Sequence, residues 1–293
     1  MPTHPNKQLA DIVEEYLRDL GRRGKSPNTI RAYRSDLTAF TRYYTGEPAA
    51  ITADALRAFL AGLEGMAPAT RARREASLAA FLGWAYRAEI IPADPMSRVE
   101  RTKLPDPAPR GLPPGTVTQI LAAIPRERDR DRLLFRFIYT TGVRISEALA
   151  VHVDDLDLTL DDERVTVTGK GNRRRTILLD DPVLIADLRR YLTRRRYRHG
   201  PIFRAEKNHR GGPLRYQSAQ ELWAGYCTTA GVVATIHQLR HTHATELVNA
   251  GVSLQTIRKR LGHRNLQTSA RYAEQHDPTA DAEIRAWRRR HTH

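Results

Sequence analysis

The sequence predicts a mainly helical protein with one small antiparallel β-sheet, an α+β fold. Apolar residues recur at helical spacing through most of the chain, and β-rich runs are concentrated between residues 156 and 179. Seven of the seventeen prolines lie between Pro92 and Pro114, where they favour an extended segment that separates two domains. The expected boundaries are a helical domain at 1–97, a linker at 98–112 and a second domain at 113–293.

Four amphipathic helices are expected in the N-terminal domain. Residues 6–21 carry apolar side chains one helical turn apart. Ser26 and Pro27 form a start signal for the second helix, because serine caps free N–H groups and proline suits the first helical position. Thr52 caps the third helix, and the fourth covers about residues 69–88. Together they predict a four-helix domain.

Several arginines on the polar faces of these helices are candidates for contact with a polyanion. A solvated helix face is the simpler interpretation, and the residues alone leave both interpretations open. The candidates are Arg31, Arg34, Arg71, Arg73 and Arg74.

In the second domain, Thr141-Gly142 predicts a break after a helix at residues 129–139. Arg144 follows this break, where a turn can direct its side chain into a cleft. An arginine beside a turn is most often an ordinary surface residue, so its role depends on the surrounding motif. Further helices are expected near residues 115–124, 182–196 and 216–230.

The β-rich runs surround a hairpin tip, residues 169–172, with the sequence GKGN and Lys170 at its apex. An exposed hairpin lysine is usually inert. The basic residues beside this tip could contact a polyanion backbone, and they are Arg173, Arg174 and Arg175.

The richest set of reactive side chains lies in residues 237–272. His237 and Arg240 are three residues apart on a predicted helix and therefore share a face. A second helix ends just before His263, and Tyr272 lies nine residues beyond it. These side chains form a phosphate-directed set with a potential nucleophile.

These residues resemble the motifs of the tyrosine recombinases (integrases), most closely the short Xer-type and transposon- or integron-like members. The resemblance extends to TGVRISEAL at residues 141–149 and to the GKG hairpin. It implies an N-terminal SAM-like core-binding domain that clamps DNA and a C-terminal tyrosine-recombinase catalytic domain. One departure is that Ala273-Glu274 follows the tyrosine, where many members have Thr-His or Ser-His. The family's catalytic residues carry over onto Arg144, Lys170, His237, Arg240, His263 and Tyr272.

The resemblance implies a site-specific recombinase whose nucleophile, Tyr272, forms a 3′-phosphotyrosyl bond with DNA. Such a bond stores the energy of the diester, so we expect no cofactor, no ATP and no metal. Lys170 would protonate the leaving 5′ oxygen. The guanidinium groups of Arg144 and Arg240 suit the charge that develops on the phosphate.

The two histidines of the set have separate expected roles. His263 can donate a further hydrogen bond to the phosphate. The imidazole of His237 can hold or accept a proton near neutral pH, which suits general acid–base catalysis.

Composition agrees with a nucleic-acid partner. The formal net charge is +15, with 48 basic against 33 acidic residues and a pI of about 10.4. The sequence has no apolar run of about eighteen residues and no apolar signal-peptide core, and its lone cysteine, Cys227, excludes an internal disulfide. We expect a cytoplasmic, nucleoid-associated protein without membrane contact.

The expected partner is double-stranded DNA with inverted-repeat core sites, bound by a dimer that forms a tetramer in the synapse. A short apolar stripe at Ile284 and Trp287 could pack on a neighbouring subunit or on its own domain. The alternatives are DNA relaxation of the type IB topoisomerase kind and a non-catalytic DNA-binding accessory protein. Metal binding by Asp154, Asp155 and Asp157 is the weaker interpretation of that acidic cluster. The chain starts almost at its first helix, so we expect no extra arm-binding domain.

Overall fold

The computed structural model describes residues 8–102, 111–169, 171–205 and 212–262. The chain divides into two compact units, 1–107 and 108–293, and each has its own hydrophobic core. The domain boundaries expected from the sequence stay predictions, and residues 103–110 of the expected linker lie outside the described residues.

The described part of the first unit forms four α-helices. Both expected caps are present, because Ser26 Oγ accepts a hydrogen bond from the Thr29 amide at 3.2 Å and Thr52 Oγ1 accepts one from the Ala55 amide at 3.2 Å. Each helix buries one apolar face against the others. The bounds are α1 Leu9–Arg22, α2 Pro27–Tyr43, α3 Ala53–Ala61 and α4 Pro68–Arg87, with short 3₁₀ helices at Pro48–Ala50 and Pro95–Arg98.

The second unit is organised around α6, which begins at Asp129 and ends at Thr141. Leu134, Phe135 and Phe137 on this helix are fully buried, and α8 and α10 pack against it. A helix that is apolar on most sides needs neighbours around it, which explains its central place. The other helices are α5 Thr116–Ala122, α7 Ile145–Leu149, α8 Pro182–Arg195, α9 Tyr216–Thr229, α10 Ile236–Asn249 and α11 Leu254–Leu261, with a 3₁₀ helix at Val153–Asp155.

A three-stranded antiparallel sheet interrupts the helices of the second unit. The strands are β1 Leu156–Asp157, β2 Arg164–Gly169 and β3 Arg173–Leu178, in the order β1-β2-β3. Val165 pairs with Ile177 and Gly169 pairs with Arg173, so β2 and β3 form the expected hairpin. Lys170 lies between these strands in the sequence but outside the described residues.

The predicted fold class is confirmed: the described chain is mostly helical with one small antiparallel sheet. No helix within the described ranges is long and apolar enough to cross a membrane.

Candidate active site

A sharp turn after α6 positions Arg144. Gly142 ends the helix with a φ of 66°, a left-handed conformation that glycine adopts without steric cost. Arg144 then takes an extended conformation as the residue that caps α7, and its side chain is 40% exposed. The predicted break after Thr141-Gly142 is present, and it places a partly accessible guanidinium at the start of a short helix.

The turn also brings a second arginine from a distant part of the chain. Arg240 on α10 is only 2% exposed, and its Nη1 donates to the Gly142 carbonyl at 2.7 Å. Its Nη2 donates to the Leu261 carbonyl at 2.9 Å. These two bonds use two of its five N–H groups. Arg240 thus joins the chain two residues before Arg144 to the chain two residues before His263.

His237 lies one turn before Arg240 on α10, and it is exposed where Arg240 is buried. Its ring meets the ring of His241 edge to face, with centroids 4.6 Å apart. Gln238 closes the start of the helix, because its side-chain oxygen accepts a hydrogen bond from the Thr235 amide at 2.8 Å. An accessible imidazole therefore stands on the first turn of a well-capped helix.

Glu147 is a member of this site that the sequence did not single out. Its carboxylate is almost fully buried, and it accepts hydrogen bonds from the Arg144 amide at 2.9 Å and from Arg144 Nη1 at 3.0 Å. Burial alone raises the pKa of Glu147, but hydrogen bonds from Arg175 and Arg144 outweigh it and hold the pKa below its ordinary value. The sequence signal for this contact was the arginine-x-x-glutamate spacing at the start of α7, which places a glutamate where it can bind the backbone of the capping residue.

Arg260 on α11 is another inward-facing arginine missed from sequence. Its Nε donates to His243 Nε2 at 3.2 Å, and its Nη2 donates to the Thr140 carbonyl at 3.0 Å and to Asp180 at 2.8 Å. Burial, followed by the charge of Arg260, lowers the pKa of His243 to about 3. His243 is therefore neutral at neutral pH and can accept this bond. These hydrogen bonds connect α11 to α6 and to α10.

The three remaining candidates cannot be placed. Lys170, His263 and Tyr272 lie outside the described residues, as do Ile284 and Trp287. Of the candidates that the structure describes, Arg240 binds the backbone two residues before Arg144. The catalytic roles of all six residues stay predictions.

The arginines expected to contact DNA in the first unit differ in how far their side chains face solvent. Arg31 and Arg34 on α2 are exposed. On α4, Arg73 and Arg74 both face the buried carboxylate of Asp36, and the side chain of Arg74 is only 20% exposed. Arg71, one turn earlier, is half-buried. Pairing with Asp36 reduces the positive charge that α4 offers to a partner.

The arginines of the hairpin differ in how far their side chains face solvent. Arg173 and Arg174 are exposed, and Arg174 lies 3.3 Å from Asp155. Arg175 is 15% exposed and bonds to Glu147 instead. Successive side chains on a strand point to opposite faces, and Arg175 shares its face with the buried Ile177. Arg173 lies on the same face at the start of the strand and is exposed, so alternation alone does not separate these two arginines.

The acidic cluster in the 3₁₀ helix and β1 is occupied by local contacts. Asp154 accepts from the His199 ring at 2.7 Å, and Asp157 accepts from the Thr159 hydroxyl at 2.6 Å. Within the described ranges no group of three potential ligands could hold a metal ion.

Comparison with known proteins covers both units. Residues 111–278 match the Phage integrase family, and residues 13–89 match the family described as Phage integrase, N-terminal SAM-like domain. Tyrosine recombinase XerC of Roseiflexus castenholzii is 33% identical over 281 residues, which cover 90% of this chain and 88% of that protein. Tyrosine recombinase XerA of Pyrococcus furiosus is 31% identical over 267 residues, covering 90% and 89%.

Solved structures share the same fold. Lambda integrase, as a fragment in a dimer bound to a COC′ core site, superposes with a TM-score of 0.74 at 18% identity, covering 89% of this chain and 97% of that one. XerH bound to a palindromic difH substrate, in a post-cleavage complex, gives a TM-score of 0.73 at 21% identity, with coverage of 94% and 84%.

Proposed function

The chain belongs to the phage integrase family and is a site-specific DNA recombinase of the tyrosine type, and on this basis we propose how its residues carry the reaction. Tyr272 attacks the scissile phosphorus, a 3′-phosphotyrosyl bond forms and the bond to the 5′ oxygen breaks. Lys170 gives a proton to that oxygen, while His237 takes the proton of the phenol. Reversal by a 5′ hydroxyl of another strand rejoins the DNA and releases the tyrosine.

The observation that best supports this mechanism is that Arg240 binds the backbone at the Gly142 turn and at the end of α11. Attack on a phosphodiester concentrates negative charge on the non-bridging oxygens, and fixed guanidinium donors stabilise that charge most effectively. The bonds from Arg240 to Gly142 and Leu261 fix the backbone beside Arg144 and beside His263. This supports a pre-formed pocket for a single phosphate, with His263 as a further donor.

Covalent catalysis by Tyr272 has a direct test. Nicked duplexes built from the genomic site that crosslinks to the protein in its host should trap a protein–DNA adduct in the presence of chelator. Tyr272→Phe removes the attacking oxygen only, so it should bind the same duplex and yield no adduct on a denaturing gel. An undiminished adduct would show that another residue is the nucleophile.

We also propose that the partner is duplex DNA with inverted-repeat core sites, bound by a dimer and brought together in a tetramer. Solved structural neighbours are described as a lambda integrase dimer on a core site and as a tetramer on a Holliday junction. The exposed arginines Arg31, Arg34, Arg173 and Arg174 are the proposed backbone contacts. The expected cellular location, in the cytoplasm and associated with the nucleoid, stays a prediction.

The topoisomerase-like and accessory-protein alternatives gain no support from these comparisons, since the relatives that match over nearly the whole chain are named recombinases. Strand exchange and plasmid relaxation together distinguish these two alternatives from a recombinase. A recombinase exchanges strands between two labelled duplexes, whereas a topoisomerase only relaxes a supercoiled plasmid and an accessory protein does neither.

A further inference from the structure

Arg175 on β3 turns its guanidinium into the second unit, where each of its nitrogen atoms donates to a protein group. Nη1 and Nη2 bind the two carboxylate oxygens of Glu147 at 3.2 and 2.8 Å. Nε donates to the Arg260 carbonyl at 3.0 Å. Such a bidentate pair fixes geometry more firmly than a single ionic contact does. Arg175 is therefore held rigidly between β3, α7 and α11.

The same carboxylate connects Arg175 to Arg144. Glu147 lies between the two guanidinium groups and accepts from both. The three groups carry two positive charges and one negative charge, which leaves a net charge of +1. Without Arg175, the buried carboxylate would be balanced by Arg144 alone, and the cluster would be neutral. A neutral pair attracts a phosphate far less than a cation does.

Two glycines show how closely this junction is packed. A Cβ atom on Gly169 would lie 3.2 Å from Glu147 Oε1, and one on Gly262 would lie 3.2 Å from the side chain of Arg175. Each glycine directly precedes a candidate catalytic residue in the sequence. These are Lys170 and His263. Arg175 and Glu147 are thus packed against the glycines that precede Lys170 and His263, and Glu147 also binds Arg144.

We propose that Arg175 is a positioning residue of the recombination reaction and not a DNA contact: by neutralising Glu147 it orients Arg144 and leaves the charge of Arg144 available to the scissile phosphate. This inference rests on the role proposed for Arg144 above. It assigns Arg175 a function different from that of its exposed neighbours Arg173 and Arg174.

The test is a set of variants of the full-length chain on the nicked duplex used for Tyr272, at a temperature where circular dichroism shows every variant folded. Arg175→Met should slow adduct formation by roughly 10–100-fold. This is the range found at metal sites when a group that orients a metal-binding side chain is removed. Binding of the same duplex, measured with Tyr272→Phe in both backgrounds, should change little.

The decisive variant adds Glu147→Gln to Arg175→Met. Glutamine keeps an acceptor for Arg144 but removes the unbalanced charge, so the double variant should cleave faster than Arg175→Met alone. In an Arg144→Ala background, Arg175→Met should cause little further loss, because the residue through which it acts is absent.

Arg189→Met is the matched control. Arg189 also bonds one buried carboxylate and one carbonyl, those of Glu163 and Leu158, each at 2.8 Å. Its loss, like that of Arg175, should lower the melting temperature but should leave adduct formation close to the wild-type rate.

Three results would overturn the inference while the proposed function stands. They are a wild-type rate in Arg175→Met, a deeper loss on adding Glu147→Gln, and an undiminished effect of Arg175→Met in the Arg144→Ala background. Absence of an adduct from the wild-type chain would instead overturn the proposed function, and this inference with it.

Discussion

The guanidinium of Arg240 illustrates how a side chain can support the fold and the chemistry together. Two of its N–H groups bind the carbonyls of Gly142 and Leu261, which come from helix ends far apart in the sequence. A guanidinium has five N–H donors in a fixed planar arrangement, which suits a side chain that holds a turn and is also proposed to bind a phosphate. Because it is buried, its replacement should leave unpaired carbonyls and destabilise the protein, in addition to removing the proposed phosphate contact. A loss of cleavage in an Arg240 variant therefore needs a stability measurement beside it.

Gly142 provides a cleaner test of this turn. A Cβ atom there would lie 2.5 Å from His243 Cδ2 and 2.5 Å from Leu261 Cδ2, at a φ of 66°. Gly142→Ala should therefore lower the free energy of unfolding by roughly 2–4 kcal/mol, from left-handed strain and overpacking combined. Urea denaturation followed by circular dichroism measures the change.

Gly251→Ala is the control for backbone strain alone. Gly251 has a φ of 76°, and nothing lies within 4 Å of the position that its Cβ would take. Its replacement should cost only about 1–2 kcal/mol. Equal shifts of the unfolding midpoint in both variants would contradict the close approach of His243 and Leu261.

At the scale of secondary-structure elements, the β2–β3 hairpin is anchored to the helices. Gly169 and Arg173 form its last described pair, and two strand positions beyond Arg173 the side chain of Arg175 reaches Glu147 and the end of α11. The base of the hairpin is thus fixed next to Arg144.

The proton-donor role proposed for Lys170 can be tested with a modified DNA. A 5′ alkoxide leaves poorly without a proton, so Lys170→Ala should slow cleavage of normal DNA by roughly 10²–10⁴-fold. DNA with a bridging 5′ sulfur releases a thiolate, which needs little protonation, and should largely restore the rate. Arg144→Ala should show no such rescue, because it removes charge stabilisation instead. Equal defects of Lys170→Ala on both substrates would show that its role is electrostatic or positional and that the acid lies elsewhere, with His237 as the next candidate.

For the whole molecule, the abundance of arginine does not translate directly into a DNA-binding surface. The sequence has 48 basic residues, yet Arg74, Arg175 and Arg240 face buried carboxylates or carbonyls. Internal pairing of this kind lowers the number of charges that a polyanion can meet. Arg34 and Arg174 also pair with carboxylates, those of Glu14 and Asp155, but both arginines are exposed and such surface pairs are weak, so they are the better candidates for backbone contact.

Assembly is the other property of the whole molecule. We propose that the apolar stripe at Ile284 and Trp287 packs on a neighbouring subunit. Removal of residues 278–293 should then reduce cooperative binding to a two-site duplex far more than binding to a single site, as gel-shift titrations can measure. Equal losses on the two duplexes would indicate that the stripe packs on its own domain.

Local patterns in the sequence determined the helices, their serine and threonine caps, the hairpin and the fold class. These features depend on neighbours a few residues away, which periodicity and capping rules describe directly. The same chain also displays the six candidate catalytic residues, whose order along the sequence carries the family resemblance.

Tertiary structure decided which arginines point inward. Arg240 and Gly142 are 98 residues apart, and Arg175 and Glu147 are 28 residues apart. No local rule joins such partners, because their contact depends on how helices and strands pack around α6. Strand alternation gives only the face of β3 on which Arg175 lies, whereas its partner, its charge balance with Arg144 and its contact with α11 follow from the packing of the second unit.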